Sequence, residues 1–366
     1  QLMESFRMSD YFVYIGTYSN GGSEGVYVQR LNMESGTLSP ISAHGEIENP
    51  SFLDLSPDRR FLYAIGEVGQ VDGRPGGAIG AYAIDSSSGT LTHLNTESTV
   101  GPGPCHVSVD ATGRYVLVAN YGGGSVAILP VRDDGSLGEA SDFVQHEGSS
   151  VNPNRQGEPH AHSIMVSPNN THAFAPDLGM DKIAIYQIDH GSGKLAAGAQ
   201  PFMDVDPGEG PRHFDFHPNG PYAYVINELG NTIVSYDYDA EAGTLAATGS
   251  VSTLPEDFDG TSHTADIHVH PNGKFLYGSN RGHDSLVICA IDGATGQLEV
   301  IGCEPTGGKN PRNFAIDPTG TYLLAANQDT NDIHTFRINS DTGSLEKTGA
   351  VASVPKPVCL KFSALS

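Results

Sequence analysis

The sequence predicts an all-β fold, a seven-bladed β-propeller with four antiparallel strands in each blade. Three observations support this prediction. A pattern recurs along the chain at intervals of roughly 50 residues, each copy contains two successive hairpins, and no long amphipathic helix separates the copies. Four strands per repeat is typical of a propeller blade.

The first hairpin of each copy is clearest at 210–231, GPRHFDFHPNGPYAYVINELGN. Aromatic residues alternate with polar ones, Pro-Asn-Gly at 218–220 supplies a turn, and an aromatic, β-branched return strand follows. Partners in an antiparallel pair have a constant sum of residue numbers. We therefore expect Arg212 to face Glu228 at the open end of this hairpin.

The second hairpin of most copies closes on a turn of the D-x-x-[ST]-G-x-L type, as in DSSSGTL and DHGSGKL. Copies of the whole unit begin at 49, 103, 160, 210, 263 and 310. Four of them place a proline in the first turn, at intervals of 50, 53 and 47 residues, namely Pro168, Pro218, Pro271 and Pro318. Six complete blades are therefore expected.

The two ends of the chain supply the seventh blade. The N-terminal segment from Tyr11 predicts three strands, and the C-terminal KPVCLKF predicts one. We expect this last strand to complete the N-terminal blade and so to cover a sheet edge. Residues 11–366 then form a single propeller domain, and 1–10 an N-terminal extension or a cloning remnant, because Met8-Ser9 resembles a natural start.

Composition excludes several kinds of partner. The 366-residue chain carries 43 acidic and 19 basic residues, a formal net charge of −24, which argues against binding to nucleic acid or to an anionic membrane. The sequence has no apolar run that could span a bilayer and no signal-peptide core, and its four cysteines lack metal-ligand or disulfide spacing. We expect a cytoplasmic protein with reduced thiols and a small-molecule partner, and the sequence leaves the oligomeric state open.

A functional site is expected at one mouth of the central channel, where the first strands begin and the second strands end. The first-strand entrances are Ser51, Cys105, His162, Arg212, Ala265, Arg312 and Val358. The second-strand exits are Tyr18, Glu67, Tyr121, Leu178, Glu228, Arg281 and Gln328. Three consecutive blades thus bring together an imidazole, two guanidinium groups and a carboxylate, from His162, Arg212, Glu228 and Arg281.

Other residues border the same mouth. His160, His213 and His283 are expected around these four, and Arg155, in the long connection HEGSSVNPNRQGEPH, adds positive charge above them. A purely structural role is the alternative for the central pair, since Arg212 and Glu228 could simply form a salt bridge at a hairpin end. Such pairing also lowers the pKa of a carboxyl group and weakens it as a base.

The chain resembles the seven-bladed propeller lactonases, which include bacterial 6-phosphogluconolactonases and fungal carboxymuconate lactonizing enzymes. The resemblance runs from Tyr11 to Phe362. It rests on His162 in HAHSIMVSP, Arg212 in GPRHFDFHP, Glu228 in NELGN and Arg281 in SNRGHDS. These residues match the proposed active-site positions of the family.

The resemblance implies a carboxylic ester hydrolase that opens an anionic sugar lactone, in particular 6-phospho-D-glucono-1,5-lactone, within the pentose phosphate pathway. Glu228 is the expected general base. One arginine of Arg212 and Arg281 is expected to hold the anionic group, and the other to stabilise the oxyanion with His162. A carboxymuconate cycloisomerase using the same four residues, and a non-catalytic binding scaffold, are the alternatives.

Two HxH pairs raise the possibility of a metal. His160 and His162, and likewise His268 and His270, share a strand face and have the side chains that zinc prefers. The HxHxDH signature of zinc-dependent lactonases is absent from the sequence. We therefore expect neither a metal nor a cofactor.

Overall fold

The protein, analysed as a computed structural model, folds into seven four-stranded antiparallel sheets, one for each blade. The structure describes residues 9–71 and 73–365. The predicted all-β propeller with four strands per blade is confirmed. The expected N-terminal extension falls mostly on residues 1–8, which lie outside the described part of the chain.

The blades are numbered in chain order, and the strands of each are given from the channel outward. Blades 1 to 3 contain β30 (Pro357–Ala364), β1 (Tyr11–Thr17), β2 (Val26–Leu31), β3 (Leu38–His44); β4 (Leu53–Leu55), β5 (Phe61–Gly66), β8 (Ala78–Ile84), β9 (Leu91–Ser98); and β10 (Pro104–Val109), β11 (Tyr115–Asn120), β12 (Ser125–Pro130), β13 (Asp142–Gln145). Blades 4 and 5 contain β14 (Met165–Val166), β15 (His172–Asp177), β16 (Lys182–Asp189), β17 (Lys194–Asp204); and β18 (Pro211–Phe216), β19 (Tyr222–Asn227), β20 (Thr232–Asp239), β21 (Thr244–Ser252). Blades 6 and 7 contain β22 (His263–Val269), β23 (Phe275–Arg281), β24 (Ser285–Ile291), β25 (Leu298–Pro305); and β26 (Pro311–Ile316), β27 (Tyr322–Asn327), β28 (Asp332–Ile338), β29 (Leu345–Ser353).

Little lies outside these sheets. A two-stranded ribbon of β6 (Gln70–Val71) and β7 (Arg74–Pro75) extends the loop between β5 and β8. Within the described ranges the single helix is a 3-10 turn at Asn20–Gly22. None of the described helical structure is long and apolar enough to cross a membrane.

The ring closes where the two ends of the chain meet. Strand β30 pairs antiparallel with β1, from Tyr11 opposite Ala364 to Thr17 opposite Pro357. As the innermost strand of blade 1, β30 packs between β26 of blade 7 and β4 of blade 2. The predicted closure is confirmed, and it pairs the edge of β1 that would otherwise face solvent.

The repeated second-hairpin turn joins each blade to its neighbour. The Tyr14 hydroxyl on β1 donates to the carbonyl of Gly89 in the next blade at 3.1 Å, and Tyr277 on β23 makes the same contact with Gly343 at 2.8 Å. Gly89 has a φ of 73°, and a Cβ there would lie 2.5 Å from the Phe12 ring. Glycine recurs in this motif because the backbone must be left-handed and must touch an aromatic ring.

The register at the open end of the first hairpin differs from the predicted one. Arg212 is the extra residue of a β-bulge between Pro211 and His213, and the Glu228 N–H donates to the carbonyl of Gly210 at 2.7 Å. The expected backbone pairing of Arg212 with Glu228 is therefore wrong. A constant sum of residue numbers holds only for a regular ladder, and a bulge inserts one residue on one strand.

The bulge recurs in several blades, where it interrupts the regular alternation of the first strand. Two of the bulged residues, Cys105 and Arg312, line the mouth of the channel. The residues at these register shifts are Cys105, Arg212, Ala265 with Asp266, Arg312 and, on β30, Val358. His162 lies at the corresponding place in blade 4, one residue after the isolated bridge at Ala161.

Closure of the ring can be tested by removing its last strand. Deleting residues 357–366 should sharply lower the melting temperature measured by circular dichroism, because the deletion exposes the edge of β1 and the flanks of blades 2 and 7. Leu360→Ala is a milder version of the same change. Leu360 is 2% exposed, and its truncation should lower the free energy of unfolding by about 2–5 kcal/mol.

The matched control is Val351→Ala on the outer strand β29, where the side chain is 56% exposed. Its effect should stay within about 0.5 kcal/mol. A truncated protein that melts at the wild-type temperature would contradict this account of closure.

Candidate active site

A cavity of about 370 Å³ opens at the predicted mouth of the channel. Second-strand exits and bulged first-strand positions supply most of its wall, which makes this the site that the repeat geometry predicts. The residues that line it are Tyr18, Glu67, Cys105, Tyr121, Arg155, His162, Glu228, His263, Arg281 and Arg312.

The Glu228 carboxylate is the centre of a buried ion cluster. Its Oε1 accepts from Arg155 Nη2 at 2.6 Å. Its Oε2 accepts from Arg212 Nε at 2.9 Å and lies 3.1 Å from Arg281 Nη2. The side chain is only 6% exposed. Three guanidinium groups from three different segments are thus held together by one carboxylate.

These contacts determine the protonation of the cluster. Burial by itself would raise the pKa of the Glu228 carboxyl, but the positive charges of Arg281, Arg212 and Arg155 outweigh it and hold that pKa well below its usual range. Burial, with Arg281 and Arg312 nearby, lowers the pKa of Arg212 to about 9. At neutral pH Glu228 is therefore an anion and Arg212 a cation.

His162 lies beside the cluster as a neutral ring. It is 4% exposed, and its Nε2 lies 3.9 Å from Glu228 Oε2. Burial, reinforced by the charge of Arg212, holds the pKa of His162 well below its usual value. On its other side the Cys105 thiol donates to the His162 carbonyl at 3.1 Å. A neutral imidazole in this position can donate one hydrogen bond into the cavity.

The Arg212 side chain lies beneath the cavity, where the Ala265 carbonyl and the His213 ring fix its position. It is 1% exposed, and its Nη1 donates to the Ala265 carbonyl at 2.5 Å and lies 3.3 Å from His213 Nε2. His213 Nδ1 in turn lies 2.7 Å from Asp266 Oδ1. Because burial and Arg212 lower the pKa of His213 to about 4, its neutral ring donates to Asp266 and accepts from Arg212.

The remaining predicted residues differ in their relation to the cavity. Arg155 lines it and also donates to the Tyr121 hydroxyl at 3.3 Å. His160 stacks on the Tyr121 ring at 4.4 Å, just behind the wall. His283 is not among the lining residues, since its ring contacts Phe258 and its Nδ1 lies 2.6 Å from Ser285 Oγ. Direct substrate contact by His283 stays a prediction.

A second cluster of polar residues at the cavity, formed around Glu67, was not singled out from the sequence. Glu67 Oε2 accepts from the Tyr18 hydroxyl at 2.9 Å and from the Ser51 hydroxyl at 2.5 Å, and the Arg312 guanidinium lies 5.5 Å from the Tyr18 ring centre. Glu67, Tyr18, Ser51 and Arg312 all occupy predicted entrance or exit positions, so the repeat pattern placed them at the mouth without showing that they form a cluster. His263, the first residue of β22, was missed because it precedes the entrance position.

The cavity is suited to an anionic ligand. Three guanidinium groups line its described wall, those of Arg155, Arg281 and Arg312, and only two carboxylates do, those of Glu67 and Glu228. One positive charge of the wall is therefore uncompensated. Among the described residues, no group of three or more His, Cys, Asp or Glu side chains is arranged to hold a metal ion.

Comparison with known proteins identifies the family of the chain. Residues 12–362 match the family model described as "Lactonase, 7-bladed beta-propeller". A Bacillus subtilis protein named 6-phosphogluconolactonase is 39% identical, with 97% of this chain and 99% of that protein covered. The solved structure of a periplasmic gluconolactonase from Pseudomonas aeruginosa is 35% identical, with a TM-score of 0.92 over 98% of this chain and all of that one.

The ion cluster makes a prediction about stability. Glu228→Gln should lower the free energy of unfolding at neutral pH by about 3–5 kcal/mol, because three buried guanidinium groups lose their counter-charge. The pKa of Glu228 is lower in the folded than in the unfolded chain. Its contribution is therefore present above about pH 4.3 and is lost as the pH falls toward the folded value.

The difference between wild type and Glu228→Gln should consequently narrow on acidification, as measured by urea unfolding at several pH values. Glu346→Gln, an exposed carboxylate on β29, is the matched control and should show no such difference. A difference in unfolding free energy between wild type and Glu228→Gln that widens as the pH falls would contradict the assignment of Glu228 as an anion.

Proposed function

Because the chain belongs to the seven-bladed β-propeller lactonase family, we propose that it hydrolyses an anionic sugar lactone, 6-phospho-D-glucono-1,5-lactone, to the open-chain acid. The observation that carries the proposal is the uncompensated positive charge of the cavity. The protein as a whole has a formal net charge of −24. A local excess of arginines at one mouth of such a protein favours the binding of an anion there.

Two arginines have unused donors for such an anion. The Nε of Arg281 is buried without a hydrogen-bond partner, although its Nη2 donates to the Thr264 carbonyl at 2.7 Å. The Arg312 guanidinium has no hydrogen-bond acceptor among the residues that the structure describes; its contact there is with the Tyr18 ring. Guanidinium groups bind phosphate through paired N–H donors, which makes phosphate the better fit than a neutral hydroxyl.

The proposed catalytic cluster consists of His162, Arg212, Glu228 and Arg281. Hydrolysis requires water to attack the lactone carbonyl, an oxyanion to be stabilised, and the ring oxygen to receive a proton. His162 lines the cavity and supplies a hydrogen-bond donor for the oxyanion, while Arg281 holds the phosphate together with Arg312. Arg212 lies below the cavity and acts on the substrate through Glu228, which it orients.

The flanking residues have supporting parts in this proposal. Arg155 adds a cation at the cavity rim, and His160 fixes the Tyr121 ring against which it stacks. His213 orients Arg212 from below. We retain His283 as a proposed peripheral contact for a larger substrate.

We also place the activity in the cytoplasm, where sugar phosphates are held. All four cysteines are free thiols, three of them buried, which suits a reducing compartment. The Pseudomonas relative is named as periplasmic, so cell fractionation is the relevant measurement. Recovery of the protein outside the cytoplasm would overturn this placement.

The substrate assignment is tested with two lactones that differ only in the phosphate. Hydrolysis of 6-phosphogluconolactone should be much faster than that of gluconolactone in a pH-stat assay corrected for spontaneous opening. Arg281→Ala and Arg312→Ala should each reduce this preference by about tenfold to a hundredfold, the effect of losing one charge-assisted contact. A chelator should leave the rate unchanged.

Arg60→Ala is the matched control, since the Arg60 side chain is 68% exposed and its guanidinium contacts Asp58 and the Phe61 ring, away from the cavity. It should leave the preference intact. Equal rates on both sugar lactones would refute the phosphate assignment, and activity confined to a carboxymuconolactone would move the protein to the cycloisomerases.

A further inference from the structure

The cavity contains a second carboxylate, Glu67, whose surroundings differ from those of Glu228. Glu67 directly follows β5, and its backbone N–H donates to the Asn49 carbonyl at 3.0 Å. Its Oε2 accepts from the neutral hydroxyls of Tyr18 and Ser51. No residue in the described ranges donates to its Oε1, and none of their cationic groups lies within ion-pair distance of it. One oxygen of Glu67 is therefore available to a ligand or a water molecule.

Glu228, the base expected from the sequence, has no such free oxygen. Arg155 occupies its Oε1, and Arg212 and Arg281 occupy its Oε2. The same three cations hold its pKa well below the usual range against the opposing effect of burial. A carboxylate bound in this way takes up a proton poorly and is a weak general base.

The groups that face Glu67 do not compete with it for a proton. Burial, aided by Glu67 and opposed by Arg312, raises the pKa of Tyr18 to about 12, so the phenol stays protonated and donates. Burial likewise raises the pKa of the Cys105 thiol, which remains protonated. Arg312 is a cation without a hydrogen-bond acceptor among the described residues. The free oxygen of Glu67 is thus the carboxylate oxygen on this side of the cavity that a ligand or a water molecule can reach.

We propose that Glu67 is the general base of the reaction and that Glu228 is a positioning residue that holds the three guanidinium groups. This inference rests on the lactone hydrolysis proposed above. Glu67 takes a proton from water as the water oxygen bonds to the lactone carbonyl carbon, and the carbonyl electron pair moves to its oxygen. When that pair returns, the bond to the ring oxygen breaks, and the ring oxygen receives the proton from Glu67.

Glu67→Gln tests the assignment, because glutamine keeps the shape and can still accept from Tyr18 and Ser51. Turnover of 6-phosphogluconolactone should fall by about 10²–10⁴-fold, the contribution of a positioned base. KM should change little, since the arginines are intact. The acid limb of the wild-type kcat/KM profile should disappear in Glu67→Gln and persist in Glu228→Gln, with Glu346→Gln as the unaffected control.

Chemical rescue distinguishes a lost base from a damaged structure. Added formate should restore part of the activity of Glu67→Ala, because a small carboxylate can occupy the vacated space, and it should not restore Glu228→Ala. Wild-type turnover with an intact acid limb in Glu67→Gln, or no rescue of Glu67→Ala, overturns this inference alone. A wild-type protein that hydrolyses no lactone overturns the proposed function as well.

Discussion

The pairing of β30 with β1 is the interaction on which the rest of the molecule depends. It joins residues from the two ends of the chain, and it is the step that converts a row of sheets into a closed ring. The candidate site lies partly across this seam. Tyr18 follows β1, Arg312 comes from blade 7, and Glu67 comes from blade 2. The contact between Tyr18 and Arg312 joins blades 1 and 7 and exists only because the ring is closed. One side of the cavity is thus a result of the same hydrogen bonds that remove the open sheet edge.

The electrostatics of the cavity follow from how its charges are compensated. Burying a guanidinium group is costly unless a counter-ion is close, and Glu228 serves three of them at once. A carboxylate used in this way loses its availability as a proton acceptor. A separate carboxylate, that of Glu67, accepts hydrogen bonds from hydroxyl groups and not from cations. Charge compensation and proton transfer are thus assigned to different residues of the same wall.

Much of this was visible in the sequence because it repeats. Blade number, ring closure and the mouth positions all follow from periodic patterns, and the four central residues were brought together as expected, with side-chain contacts from Arg212 and Arg281 to Glu228. The register at Arg212 was not predictable, since a bulge has no periodic signature of its own. Glu67 and Arg312 were placed at the mouth but not distinguished, because their importance lies in having fewer partners than Glu228, and partners are a property of three-dimensional packing.

The recurring bulge is a backbone feature that does not depend on which side chain occupies it. Backbone hydrogen bonds set the irregularity, and in different blades the same position carries a thiol at Cys105, a guanidinium at Arg312 and an isopropyl group at Val358. A blade can therefore exchange the group it presents without altering its sheet. Reaction specificity in such a ring can diverge one blade at a time, by substitution at a single backbone site, while the strand pairing that closes the ring is inherited unchanged.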